Sequence, residues 1–365
     1  MNGRNIVMPT KQGRLLDDDA SFAELKIDRD VPQTWEDGFR LSKPFQSGAY
    51  EWWYADAHFS NGYFCIVAHN IEINADGEIS AFIRLDIAKD GKKLSEQKIS
   101  VNSNELQIAD THCDARMGPH FFRSEGGSLD RYHIFVDPDS AGGFGIDITL
   151  ERTIPSYRPG TGRWDVDGRH FSWFCAVPGG RVTGRLFVDG AAIEVEGNGY
   201  HDHNWGNVAM DHILSGWLWG RAQVGETTIV AASVRFTNEV GGRETPLLYV
   251  TQGNLILVDA FNDAVTCLEG VKITHPDTGK PTSSDCIYLV DNGDLTASVR
   301  FDGQRTVIAS YQFESSSEDW EAWYTRFPAK VSVELGKSDG ATIRAADAGV
   351  LENMDFLGRA IAKAP

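Results

Sequence analysis

The segment GNGYHDHNWGN at 197–207 crowds two histidines, an aspartate, a tyrosine, asparagines and a tryptophan between glycines. Read as a strand, its side chains alternate between two faces. His201, His203 and Trp205 then share one face, and Tyr200, Asp202 and Asn204 share the other. Three chemistries fit such a set. A carboxyl buried beside apolar rings has its pKa raised and can deliver a proton near neutral pH, which makes Asp202 the first candidate acid, with His201, His203 and Tyr200 as partners. Asp202 could equally be an ionised orienting group beside a histidinium acid. His-x-His on a strand can also supply two metal ligands. Asp211 and His212 are the nearest further donors, and three protein ligands are the usual minimum of a catalytic site, so neither a metal nor another cofactor is expected. The third possibility is a polar network that only ties two sheets together.

A second dense stretch is GAYEWWYADAHF at 48–59. Glu51 beside Trp52 and Trp53 is the second candidate acid. The adjacent indoles must face opposite sides of a strand, one toward a core and the other toward a cavity or domain contact, with Tyr54 following. GWLWGRA at 216–222 puts Trp217, Trp219 and Arg221 on one face. So many indoles build either a large core or an apolar pocket with a few polar handles. The expected substrate-binding set is Trp52, Trp53, Tyr54, Asn204, Trp205, Trp217, Trp219 and Arg221.

These residues must be carried on strands. Short apolar or alternating runs such as YFCIVAHNIEI, FGIDITLER, TTIVAASVRF and KVSVEL fill the chain. They are separated by Asn61-Gly62, Asp76-Gly77, Asp90-Gly91, Gly179-Gly180, Asp189-Gly190, Asn292-Gly293 and Asp302-Gly303, the residues that tight hairpins require. Two segments show helical spacing: Trp320, Trp323, Tyr324 and Phe327 behind a cap at Ser317, and Val350, Met354, Leu357 and Ile361 near the end. The strands are too many for one small barrel. The expected fold is therefore all-β, two antiparallel barrel or sandwich domains with a few short helices, divided as 1–210 and 211–365, the second closing on a C-terminal helix.

The 365 residues carry a formal net charge of −18, which disfavours nucleic acid and anionic lipid as partners. Five dispersed cysteines without a CxxC pair argue against a disulfide framework or a zinc knuckle. No apolar leader and no run of 18 apolar residues is visible, so no membrane insertion is expected and a cytoplasmic setting follows. No GxxxxGK[ST] loop or GxSxG elbow is present.

EWWYADAHF at 51–59, WFCAVPGGRVTGRL at 173–186 running into GNGYHDHNWGN, and WLWGR at 217–221 together resemble the carotenoid 1,2-hydratase and hydroxyneurosporene synthase superfamily. Its relatives include AttH-like proteins, kievitone hydratase and fungal lipocalin-like Diels–Alderases. The resemblance covers about residues 48–221. The second half matches only as β-rich sequence, and TIVAASVRF at 228–236 offers no carboxylate. The resemblance implies two lipocalin-like domains, an apolar pocket near their junction, and a hydrophobic isoprenoid, polyene or polycyclic substrate. Acid-catalysed hydration of a C=C bond, or its reverse or an isomerisation, is the expected reaction. A cyclase of the Diels–Alder kind and a non-enzymatic hydrophobe carrier are the alternatives.

Overall fold

The computed structural model describes residues 12–314, 320–338, 340 and 342–359. Among them, strands dominate and pair antiparallel throughout. Seven strands build the site: β1 (Tyr50–Phe59), β2 (Arg169–Val188), β3 (Ala191–Gly206), β4 (Leu214–Val224), β5 (Thr227–Phe236), β6 (Trp320–Lys337) and β7 (Thr342–Arg359).

A 13-stranded sheet holds the first half of the chain. Its path runs from Lys92–Val101 through Ile79–Lys89 and Tyr63–Ile73 to β1, β3 and β2, then on through Gly145–Arg152 to Leu106–Ile108. The turn Ser103–Glu105 joins the two ends of that path, so the sheet curls into a nearly closed barrel. A 10-stranded sheet holds the second half, with β5, β4, β7 and β6 adjacent at its centre. This is the all-β, two-sheet lipocalin-like architecture. No helix of the described residues is long and apolar enough to cross a membrane.

Alternation on these strands sorts three cores. Trp53, Ile83, Leu85, Phe122, Ile134 and Phe174 fill the first barrel. Leu218, Ala222, Phe301, Phe327, Val331 and Leu351 fill the second sheet's concave side. Trp164, Tyr157, Tyr200, Trp219, Tyr249 and Met354 form a third core between the two sheets. Trp164 Nε1 donates to Thr245 Oγ1 across that seam at 2.6 Å, and Tyr157 stacks on Tyr249 with centroids 4.2 Å apart.

Three local expectations are corrected. Trp320–Phe327 lies on β6, and the C-terminal segment is β7 rather than a helix; Ser317 and Ile361 lie outside the described residues. A spacing of four satisfies a strand face as well as a helix face. Val350 and Met354 face the inter-sheet core while the intervening Leu351 is buried in the second sheet's own core, which only a strand allows. Gly179-Gly180 is not a hairpin turn. It lies inside β2, beside a register shift between Val177 and Gly180. A Cβ on Gly180 would lie 2.6 Å from the Glu151 carbonyl oxygen. One helix went unforeseen: Asp19–Leu25, capped by the Asp18 side chain on Ser21 N.

Candidate functional site

The two faces of β3 serve different interiors. Its even-numbered side chains point toward the second sheet and its odd-numbered ones into the first barrel. On the barrel side, His201 Nδ1 meets the Tyr54 carbonyl oxygen at 2.8 Å and Nε2 meets Asp37 Oδ2 at 3.1 Å. His203 Nδ1 lies 2.9 Å from the Glu36 carbonyl oxygen and Nε2 2.8 Å from Glu51 Oε1. Glu51 also accepts from the Arg40 and Leu41 amides at 2.8 and 3.0 Å. Trp53 donates to the Asp37 carbonyl oxygen at 2.9 Å and stacks on His203, and Trp205 packs on the same ring. Burial disfavours a charged His201, but the Asp37 carboxylate outweighs it and raises the imidazole pKa. His201, His203, Glu51 and Trp53 are all fully buried. Together they rivet the segment Gln33–Leu41 to the barrel.

The same region holds the donor set Asp37, Cys113 and His201, whose ligand atoms lie within 4.8 Å of one another. Protein partners already engage it. Asp37 Oδ2 accepts from the Tyr132 hydroxyl at 2.7 Å and faces His201, while Cys113 Sγ is directed at the Phe122 carbonyl oxygen. These three residues do not fit an open metal site, which keeps a ligand position free.

The other side of β3 lines a cavity of about 1110 Å³ between the sheets. Trp52 and Tyr54 from β1, Phe171 and Trp173 from β2, Asp202 and Asn204 from β3, Trp217 and Trp219 from β4, and Tyr324, Glu352 and Met354 from β6 and β7 form its walls. Arg84, Glu96 and Lys98 also line it. In Asp202, Oδ2 accepts from the Tyr200 hydroxyl and from Trp173 Nε1, each at 2.7 Å, and Oδ1 accepts from Asn204 Nδ2 at 2.8 Å. Burial pushes this carboxyl up to about 6 against those three donors. Tyr200 and Arg221 stand just behind the wall, the guanidinium 5.6 Å from the Tyr200 ring.

A charged cluster joins the sheets at one side of the cavity. Asp56 on β1 accepts from Arg221 on β4, from the Tyr54 hydroxyl at 2.8 Å, and from Arg326 Nη2 on β6 at 3.0 Å. Arg326 Nη1 donates to Glu352 Oε1 on β7 at 2.6 Å, to the Tyr54 hydroxyl at 2.8 Å and to the Tyr324 hydroxyl at 3.2 Å. Tyr324 in turn donates to Glu352 Oε1. Register makes this possible, since Arg326 and Trp219 flank Glu352 as its cross-strand partners. Despite burial, Arg221 and Arg326 hold Asp56 well below the usual carboxylate range. Burial pushes Glu352 up to about 7, with Arg326 and Tyr324 opposing.

Of the residues singled out in the sequence, then, Trp52, Tyr54, Asp202, Asn204, Trp217 and Trp219 meet at one cavity. His201, His203, Glu51, Trp53 and Trp205 face the barrel instead. Sequence reasoning missed Asp56, Tyr324, Arg326 and Glu352 as members of the site. The signal for three of them was period two: Tyr324 and Arg326 two apart, and Glu352 midway between Val350 and Met354. A helical reading of those stretches hid it.

No family model matches the chain. A 62-residue segment is 39% identical to a hydroxyneurosporene dehydrogenase of Chlorobaculum tepidum, covering 15% of this chain and 16% of that protein. A 105-residue segment is 26% identical to the quinolone epoxide rearrangement protein penF of Penicillium thymicola, covering 27% and 28%. The chain thus matches less than a third of the length of either relative. Among solved structures, CghA with Sch210972 superposes with a TM-score of 0.61 at 14% identity, covering 94% of this chain and 98% of that one. An AttH-like protein from Nitrosomonas europaea gives 0.58 at 15%, covering 88% and 98%, and kievitone hydratase from Nectria haematococca gives 0.53 at 13%, covering 90% and 98%. At 13–15% identity the likeness to these structures is one of fold: the chain shares their all-β lipocalin-like architecture.

Proposed function

We propose that the chain is an enzyme that adds water across a C=C bond of a hydrophobic small molecule, or removes it, in the inter-sheet cavity, with Asp202 among its proton-transfer groups. The observation that carries this reading is the setting of Asp202, a carboxyl with a pKa of about 6 on the wall of an indole-lined cavity. A general acid or base works best when its pKa lies near the working pH. Protonating an alkene leaves a tertiary cation, and the faces of Trp217 and Trp219 are placed to attract it, an effect of about 2 kcal/mol when desolvated. Asn204 and Tyr200 fix the orientation of Asp202.

The fold shared with kievitone hydratase supports this reading. The segment shared with a quinolone epoxide rearrangement protein supports acid–base or rearrangement chemistry more broadly. The test is turnover of isoprenoid and polycyclic alkenes in heavy-oxygen water. Label in the product of the full chain, lost in Asp202→Asn, is the expected result. A product without label would identify a cyclase or isomerase. Unaltered ligand release with no product would identify a carrier.

A further inference from the structure

The buried wall between the sheets holds more carboxyls than cations. Asp56, Asp202 and Glu352 are each no more than 7% exposed. Two guanidiniums, Arg221 and Arg326, face them. The cavity's further buried carboxyl, Asp86, is paired with Arg84, and the other titratable groups about the cluster are Tyr54 and His58 from β1, Cys65 from Tyr63–Ile73, Cys175 from β2, Tyr200 from β3 and Tyr324 from β6. Burial and Arg221 keep His58 neutral, its pKa pushed down to about 3, and burial raises the Tyr54 and Tyr200 phenols and the Cys175 thiol. His201, behind β3, is matched by Asp37. Three carboxyls against two cations leave one buried negative charge without a partner, which costs several kcal/mol. Retaining one proton removes that cost.

The bonding pattern shows which group retains it. Asp56 lies between both guanidiniums and stays ionised. Asp202 is fully engaged as an acceptor, with three donors on its two oxygens, and such bonds favour the anion. Glu352 differs. Its Oε1 accepts from Arg326 and Tyr324, whereas its Oε2 bonds to none of the described residues, and the side chain lines the cavity. A carboxylic acid whose carbonyl oxygen is held and whose other oxygen is free is the arrangement of a proton donor.

Building on the hydration reading above, we propose that Glu352 is the neutral proton donor of this site and Asp202 its ionised partner. In the hydration direction the Glu352 Oε2–H bond breaks and a C–H bond forms at one alkene carbon, leaving Glu352 a carboxylate and the neighbouring carbon a cation. Water oxygen bonds to that carbon and releases a proton to Asp202. Transfer of that proton back to Glu352 resets the site, so the sum is alkene plus water giving alcohol. The burial-raised values of about 7 for Glu352 and about 6 for Asp202 run in the same order.

Infrared difference spectra of the substrate-free full chain between pH 5 and pH 9 test the proton's location. Of the protonated-carboxyl bands that vanish as the pH is raised, the band with the higher midpoint should be absent in Glu352→Gln and persist in Asp202→Asn. Tyr324→Phe removes a donor to Oε1, and it should move the midpoint of that band to higher pH. Loss of the band in Asp202→Asn with retention in Glu352→Gln, no such band in the wild type, or a Tyr324→Phe midpoint unchanged would each overturn the assignment. In turnover, Glu352→Gln should lower the rate by about 100-fold and abolish the fall in kcat/KM on the alkaline side; a variant that keeps this fall would also overturn it. Failure of the hydration reading shows separately, as absent heavy-oxygen label, and leaves the infrared result to stand or fall alone.

Discussion

Arg326→Met removes the guanidinium that binds the two sheets together at the cavity. The side chain is fully buried. Its loss breaks the bonds to Glu352 at 2.6 Å, Tyr54 at 2.8 Å, Asp56 at 3.0 Å and Tyr324 at 3.2 Å. Asp56 keeps Arg221 and the Tyr54 hydroxyl, and Glu352 keeps Tyr324. Removing one partner of a buried ion pair typically costs about 3–5 kcal/mol, a large part of the ~5–15 kcal/mol that holds an ordinary domain folded. The cost depends on pH in a defined direction. The folded pKa of Glu352 is raised from 4.5 to about 7. Its burial is therefore free of penalty below the unfolded value, and stability is lost as pH rises through about 7. Without Arg326 the folded value climbs further, so the loss continues to higher pH. The deficit of the variant should thus be larger at pH 8 than at pH 6, by about 1–2 kcal/mol, each unit of pKa being worth about 1.4 kcal/mol. Urea unfolding at the two pH values, followed by tryptophan fluorescence, measures it. A deficit below about 1 kcal/mol at pH 8, the size of a surface pair, or one larger at pH 6, would refute this account of the cluster.

Three further outcomes follow from the geometry. His201→Phe should destabilise by about 1–3 kcal/mol by leaving Asp37 and the Tyr54 carbonyl short of a donor. Because the folded pKa of His201 is raised, its stabilisation is complete below about 6.5 and fades as pH rises through the folded value, so the gap between the urea midpoints of variant and wild type should narrow as the pH is raised. Gly197→Ala would set a Cβ 1.9 Å from the His58 carbonyl oxygen, and the strand shift needed should cost at least about 1–3 kcal/mol, read as a lower melting temperature. Trp217→Ala removes an indole stacked parallel to Phe171 on the cavity wall, and the affinity of anilinonaphthalene sulfonate should fall about tenfold, or 1.4 kcal/mol, with the far-ultraviolet spectrum unchanged.

The alternation of β3 could be read directly because its residue types change at every step, so the split between His201 and His203 on one face and Asp202 and Asn204 on the other needed only the pleat. Asn-Gly and Asp-Gly pairs marked hairpins where a positive φ is demanded, as at Asp90 and Gly91 with φ of 50° and 74°. What the sequence could not show is which face meets which interior. Two imidazoles with an indole, or a carboxyl with a phenol and an amide, could each line a site, and only the packing of Gln33–Leu41 against the barrel claims the imidazoles. The second half was harder for a different reason. In β6 and β7 the aromatic and aliphatic residues recur at three and four as well as at two, so helix and strand fit equally until a neighbouring strand supplies hydrogen bonds. Glu352 went unnoticed for that reason, and because its pairing with Arg326 joins residues 26 apart through a long hairpin.

The two-sided duty of β3 constrains how this protein can change. Substitutions at 202 and 204 act on the cavity wall and those at 201 and 203 on the bonds that hold Gln33–Leu41 to the barrel, so one side can change while the other is kept. An insertion or deletion of a single residue between Gly197 and Gly206 has no such freedom. It would trade the two sets, placing imidazoles against the ligand and an aspartate inside the barrel. Across homologues the length of this strand should therefore stay fixed even where single residues differ.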